Sequence, residues 1–189
     1  ILFGMVTDVT GEWHQEERLE RELGQYREEE ATCNGCAGYP KYDQVTGLLS
    51  FNRFREEVDS VIASGKGKSC LLVYTDLENF KYFNRKYGYA AGDQLLREFT
   101  GYIIDTLKKR NTSHFTRVVA DQFILFFEEK WNNGSIEAIK RINNGFIERQ
   151  QRKYPEAKLR LRTGVYKVEK DCDGASFAID AANYARRQI

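Results

Sequence analysis

The stretch Tyr74-Thr-Asp-Leu-Glu-Asn-Phe-Lys-Tyr-Phe-Asn-Arg-Lys-Tyr-Gly-Tyr-Ala-Ala-Gly-Asp93 decides how this chain is read. It opens inside an apolar run, Leu71-Leu-Val-Tyr-Thr-Asp76, which reads as a strand (69–76) finishing on a carboxylate. Two helical patterns follow, at about 78–87 and 91–109, separated by a turn at Gly88. Working outward, a helix at about 50–64 precedes the strand. A strand pair (114–119 and 122–128), a helix (134–150), a strand (158–167) and a helix (175–188) come after. Alternating strands and helices with one tight hairpin predict an α+β fold, a sheet with helices on its faces, and not a doubly wound parallel sheet.

Two carboxylates stand at chemically useful places. Asp76 ends its strand, and Asp121 lies by the turn of the 114–128 hairpin. If those strands are neighbours, the two acids converge as a hard divalent cation such as Mg²⁺ requires. Carboxylate metal sites of that kind position triphosphates for in-line displacement. The plainer alternative is that a strand-end acid is simply solvated. Asn84 and Asp93 flank the Gly88–Gly92 turn, where helix capping explains them equally well.

Three blocks carry a family resemblance: Asp43-Gln-Val-Thr-Gly-Leu48; Asp76-x-Glu-x-Phe80-Lys81-x-x-Asn84 with Gly88 and Gly92-Asp93; and Ile179-Asp-Ala-Ala-Asn-Tyr-Ala-Arg-Arg187. In order and spacing over 42–189 they resemble the GGDEF domains of diguanylate cyclases. In that family the first block reads Asp-x-Leu-Thr-Gly-Leu and the last Ala-Asp-x-Ala-Leu-Tyr-x-Ala-Lys. The resemblance implies a nucleotidyl-cyclase palm, a central and mostly antiparallel sheet wrapped by helices. It also implies roles. Asp76, the Leu77 carbonyl and Asp121 would hold Mg²⁺, and Asn84 and Asp93 would bind guanine. Phe80 and Lys81 would belong to the nucleotide site, with Lys81 and Arg187 (replacing the usual Lys) facing phosphates.

The namesake hairpin departs from the family. Where Gly-Gly-Asp/Glu-Glu-Phe is usual, this chain reads Val119-Ala120-Asp121-Gln122-Phe123. The glycines let the backbone pass against the nucleotide and permit positive φ, so Val119 and Ala120 are expected to alter both space and turn. Gln122 removes a charge near the catalytic Asp121. The family's product-inhibition motif, Arg-x-x-Asp, here reads Arg110-Asn-Thr-Ser113, without its carboxylate. The reading is a degenerate GGDEF domain that binds GTP or GDP with Mg²⁺ and regulates an attached or partner domain. The alternatives are an active cyclase joining two GTP molecules, and a ligand-free dimerisation module.

Of the 189 residues, 41% are hydrophobic and 30% charged, and the net charge is +1, an ordinary globular composition with no nucleic-acid-binding surface. No apolar run approaches the roughly 20 residues of a membrane span. The expected setting is cytoplasmic, without membrane contact by this segment. The chain starts without Met and stops in a helical pattern, so it reads as a piece of a longer protein whose upstream anchor stays open. Residues 1–41 read as the exit strand of a PAS-like sensor, a signalling helix and a linker, and 42–189 as the GGDEF domain. Residues 12–30 carry Leu19, Leu23 and Tyr26 at helical spacing, which fits a short coiled coil joining a homodimer, with a lone solvated helix as the alternative. Cys33 and Cys36 have metal or redox spacing, but nothing nearby completes a zinc site. They read as linker thiols, with a redox pair or a zinc shared across a dimer as alternatives.

Overall fold

The computed structural model describes residues 40–65, 70–107, 113–127 and 133–188. The chain divides into two units between Tyr39 and Pro40. The expectations for the sensor strand, the signalling helix, Cys33, Cys36 and Arg110 lie outside the described residues.

The elements run α1 (Phe51–Ala63), β1 (Leu71–Glu78), α2 (Phe80–Tyr87), α3 (Tyr89–Leu107), β2 (Ser113–Val119), β3 (Gln122–Phe127), α4 (Asn133–Lys153), a short 3₁₀ turn (Pro155–Ala157), β4 (Arg160–Lys167) and α5 (Ala175–Arg187). The strands form one sheet in the order β2-β3-β1-β4, every pair antiparallel. This is the expected α+β architecture.

Period-two alternation splits β1 and β3 between two apolar layers. Leu71, Val73, Leu77, Phe123, Leu125 and Phe127 join Leu95, Leu96, Phe99 and Ile103 of α3 and Phe146 of α4. Leu72, Tyr74, Ile124 and Phe126 face the other way, onto Phe54 and Val58 of α1 and Ala178, Ile179 and Ala182 of α5. Cys70 lies buried in this second layer, in accord with its apolar sequence setting. The alternation also fixes where chemistry can occur. Asp76 follows Leu72 and Tyr74 at even spacing and pairs with Gln122 of β3, so both belong to the face that α5 covers.

Small residues let α5 settle closely on that face. A Cβ at Gly164 would lie 2.1 Å from the Ala182 carbonyl and 2.3 Å from the Arg186 nitrogen. Gly164 pairs with Tyr74 across the β1–β4 ladder, so the last turns of α5 sit directly beside β1.

Element ends differ from expectation where the backbone turns left-handed. Asn79 has φ 67°, which lets β1 run on to Glu78 and delays α2 to Phe80. Gly88, at φ 88°, closes α2 and allows α3 to restart at Tyr89. The 3₁₀ turn and Lys158 at φ 48° were not anticipated, and they shift the start of β4 to Arg160. Among the described residues no helix is long and apolar enough to cross a membrane.

Candidate functional site

Asp76 and Asp121 are brought together by the sheet. The Leu77 N–H donates to the Asp121 carbonyl at 3.3 Å, which locks the β2–β3 turn against the end of β1. Burial raises the Asp121 pKa, and the Asp76 charge pushes in the same direction, as expected for two neighbouring acids. Burial also raises Asp76, against the opposing pull of Arg186 and then Arg162.

The turn keeps a two-residue connection, Ala120-Asp121, between β2 and β3. Ala120 holds the positive φ (49°) that a glycine would take without strain, at a cost of about 1 kcal/mol for a residue with a Cβ. Val119 is exposed. Arg117 holds this turn: its Nε donates to the Ala120 carbonyl at 2.7 Å, and its Nη1 reaches both carboxylate oxygens of Asp43 at 3.3 Å. Asp43 in turn accepts from the Thr46 N–H (2.8 Å) and hydroxyl (2.6 Å). The Asp43–Leu48 block is therefore a brace for the hairpin. The motif reading gave Arg117 no role, although it adjoins the hairpin signature.

A second pair forms at the α2–α3 turn. A Cβ on Gly92 would stand 1.9 Å from Asn84 Oδ1, so the glycine leaves the room that the asparagine side chain takes in this rotamer, one residue from Asp93. The Asn84 main-chain carbonyl closes α2 by accepting from the Gly88 N–H at 2.8 Å. Its side chain does not cap: Oδ1 is buried without a partner among the described residues. Such an orphaned acceptor costs about 1–3 kcal/mol. Phe80 is buried in the core beneath this turn, whereas Lys81 and Arg187 are exposed.

The residue missed by sequence reasoning is Arg186. It is buried at 7% exposure and ion-pairs with Asp76 Oδ2. Its Nε and Nη2 donate to Asn183 Oδ1 at 3.1 and 2.8 Å, and its guanidinium lies 5.2 Å from the Tyr74 ring centre. Tyr74 donates its hydroxyl to Gln122 Oε1 at 2.6 Å. A sequence signal existed: Arg186 continues the buried i, i+4 stripe of Ala178 and Ala182, whereas Arg187 falls off it.

A family model for diguanylate cyclase GGDEF domains matches residues 40–189. The chain belongs to the GGDEF family. Diguanylate cyclase DgcS of Shewanella oneidensis is 32% identical over 89 residues, which is 46% of this chain and 29% of the relative. Cyclic di-GMP phosphodiesterase PdeR of Escherichia coli is 28% identical over 130 residues, 69% of this chain and 18% of that protein. The chain thus spans less than a third of either curated relative. The crystal structure of the DgcB GGDEF domain from Caulobacter crescentus, in complex with c-di-GMP, superposes with a TM-score of 0.66 at 18% identity, covering 82% of this chain and 92% of that one. The FimX GGDEF domain from Pseudomonas aeruginosa gives 0.65 at 18% identity, covering 79% and 93%.

GGDEF cyclases use Mg²⁺, and the donor set of this GGDEF domain can be tested for its fit to that ion. Asp76 and Asp121 supply carboxylates, but Asp76 is already paired with a buried guanidinium. The guanidinium takes Oδ2, while Oδ1 is buried without a hydrogen-bond partner among the described residues. The fixed guanidinium charge beside Asp76, and not a shortage of donors, is what sets the residues as arranged against a divalent cation there.

Proposed function

We propose that this chain is a catalytically silent GGDEF domain of the cyclic di-GMP system, which binds a guanine nucleotide such as GTP or GDP and passes its occupancy to an attached or partner domain. The observation that carries the reading is the buried, unpartnered Asn84 Oδ1 beside Asp93. Guanine presents a donor edge, an N–H and an exocyclic amine, that an amide oxygen and a carboxylate complete. A ligand that supplies those donors removes the penalty of an orphaned buried acceptor.

Silence follows from the other end of the site. Val119 and Ala120 stand where a backbone would have to pass close to nucleotide, and Gln122 is committed to Tyr74. Asp76 is committed to Arg186. Mg²⁺, which the family resemblance implies, is for that reason not part of the proposed bound state. A regulatory ligand needs only different affinities for two states of the protein, which survives the loss of catalytic alignment.

Calorimetric titration with GDP tests the reading. Wild type should bind saturably, and Asp93→Ala should weaken binding at least tenfold by leaving the guanine donors unpaired. Equal affinity in both proteins would remove the site from consideration.

A further inference from the structure

Arg186 and Asn183 stand where the family's last-helix pattern, quoted above, has alanine and leucine. Both substitutions are polar, both lie in the final turns of α5, and in the fold they meet each other. Asn183 Oδ1 accepts from two of the three guanidinium nitrogens, and the third faces Asp76. The flat guanidinium also lies near the Tyr74 ring. Tyr74 is oriented by Gln122, which is the signature's acid turned into an amide. Four side chains thus form one closed arrangement around a single positive charge, every nitrogen of which has an acceptor.

That charge lies at the carboxylate where the family reading puts a cation. Gly164 is what delivers it: without a Cβ at that position the Arg186 backbone rests on the sheet beside Tyr74, two residues from Asp76. The guanidinium is covalently tethered, carries one unit charge and cannot lose its proton at any working pH. It takes Asp76 Oδ2 and leaves Oδ1 buried without a hydrogen-bond partner among the described residues. A divalent ion approaching Oδ1 would meet the fixed positive charge beside it, and displacing that charge would leave a buried arginine without its counter-ion.

We infer that Arg186 is a built-in cation that occupies the metal position at Asp76, making the domain a metal-independent member of its family. Asn183, Tyr74 and Gln122 are the residues that hold it there. The inference rests on the nucleotide reading only for where a cation would sit. As a corollary, any guanine ligand binds with the same affinity in excess EDTA as in Mg²⁺.

The test uses Mn²⁺ as a spectroscopic divalent probe, without nucleotide, so that its failure is distinct from a failure of guanine binding. Wild type, Asp76→Asn, Arg186→Met and Arg186→Met/Asp76→Asn are titrated by electron paramagnetic resonance, with thermal melts at each Mn²⁺ concentration. Methionine keeps the buried stem of residue 186 and removes only the charge. Wild type should leave the free Mn²⁺ signal unchanged and melt at the same temperature throughout. Arg186→Met should gain one Mn²⁺ site and a melting temperature that rises with Mn²⁺. The double variant should lose both effects. A wild-type Mn²⁺ site that Asp76→Asn removes would overturn the inference, as would a folded Arg186→Met that gains no site. Should Arg186→Met not fold, the comparison of wild type with Asp76→Asn decides alone.

Discussion

Two adjacent arginines show how much depends on one residue of phase. Arg187 matches the lysine of the family pattern and is exposed, while Arg186 matches an alanine and is buried against Asp76. A motif read position by position attends to the first. A helix read by its buried stripe attends to the second. What places the second is Gly164, so the residue-scale prediction belongs there. Gly164→Ala should destabilise the domain by about 3 kcal/mol, the upper range for overpacking, because the added methyl meets α5 backbone that cannot rotate away. Chemical denaturation measures this directly, and a loss under about 0.5 kcal/mol would mean that α5 does not sit as closely as described. Ala120 teaches a related lesson. Ala120, in place of a glycine, sits at a positive φ, and Arg117 donates to its carbonyl.

At the scale of elements, those legible in the sequence were the ones with strong periodicity, although their ends moved where the backbone turns left-handed. β1, α2, α3 and the β2–β3 hairpin stood out because apolar alternation gives way to helical spacing at recognisable turns. The 3₁₀ turn at Pro155 did not, since three residues show no period. Nor was the C-terminal turn of α4 visible, because its end is charged and its partner lies on another helix. Lys153 donates to Glu98 of α3 at 2.6 Å, and Gln150 donates to the same carboxylate at 3.0 Å. Burial alone would raise the Glu98 pKa. Hydrogen bonds from Lys153, Gln150 and Gln94 outweigh it and hold the pKa below the usual value of 4.5. A carboxyl with a depressed folded pKa adds stability above its unfolded pKa, and that stability is lost as pH falls through the folded value. Glu98→Gln should therefore cost about 0.5–1 kcal/mol at neutral pH, a modest figure for a partly exposed pair, and close to nothing in acid. Denaturation of both proteins across acidic pH checks this, and a pH-independent difference would show that the clamp acts through packing alone.

The molecule as a whole keeps the scaffold of its family and has rewired one edge of it. The fold was readable from residues 42–189, because the opening block, the strand-end acid, the Gly88–Gly92 turn and the last helix stand in family order. The same order singled out Asn84 and Asp93, whose guanine role belongs to the proposed function. The altered edge was only half readable. Val119, Ala120 and Gln122 announced a change, but Tyr74, the partner of Gln122, lies 48 positions away and meets it through the sheet, and Arg186 and Asn183 join through Tyr74 and Asp76. Pattern matching sees lost residues; the fold shows what replaced them. A domain altered in this way should hold nucleotide without converting it.

The most direct test is to incubate the domain with GTP and either Mg²⁺ or Mn²⁺ and to separate the products by chromatography. The account predicts that GTP is recovered unchanged and that no cyclic di-GMP forms. Accumulation of cyclic di-GMP above a no-protein control would contradict it, because that synthesis would require Arg186 to give up Asp76.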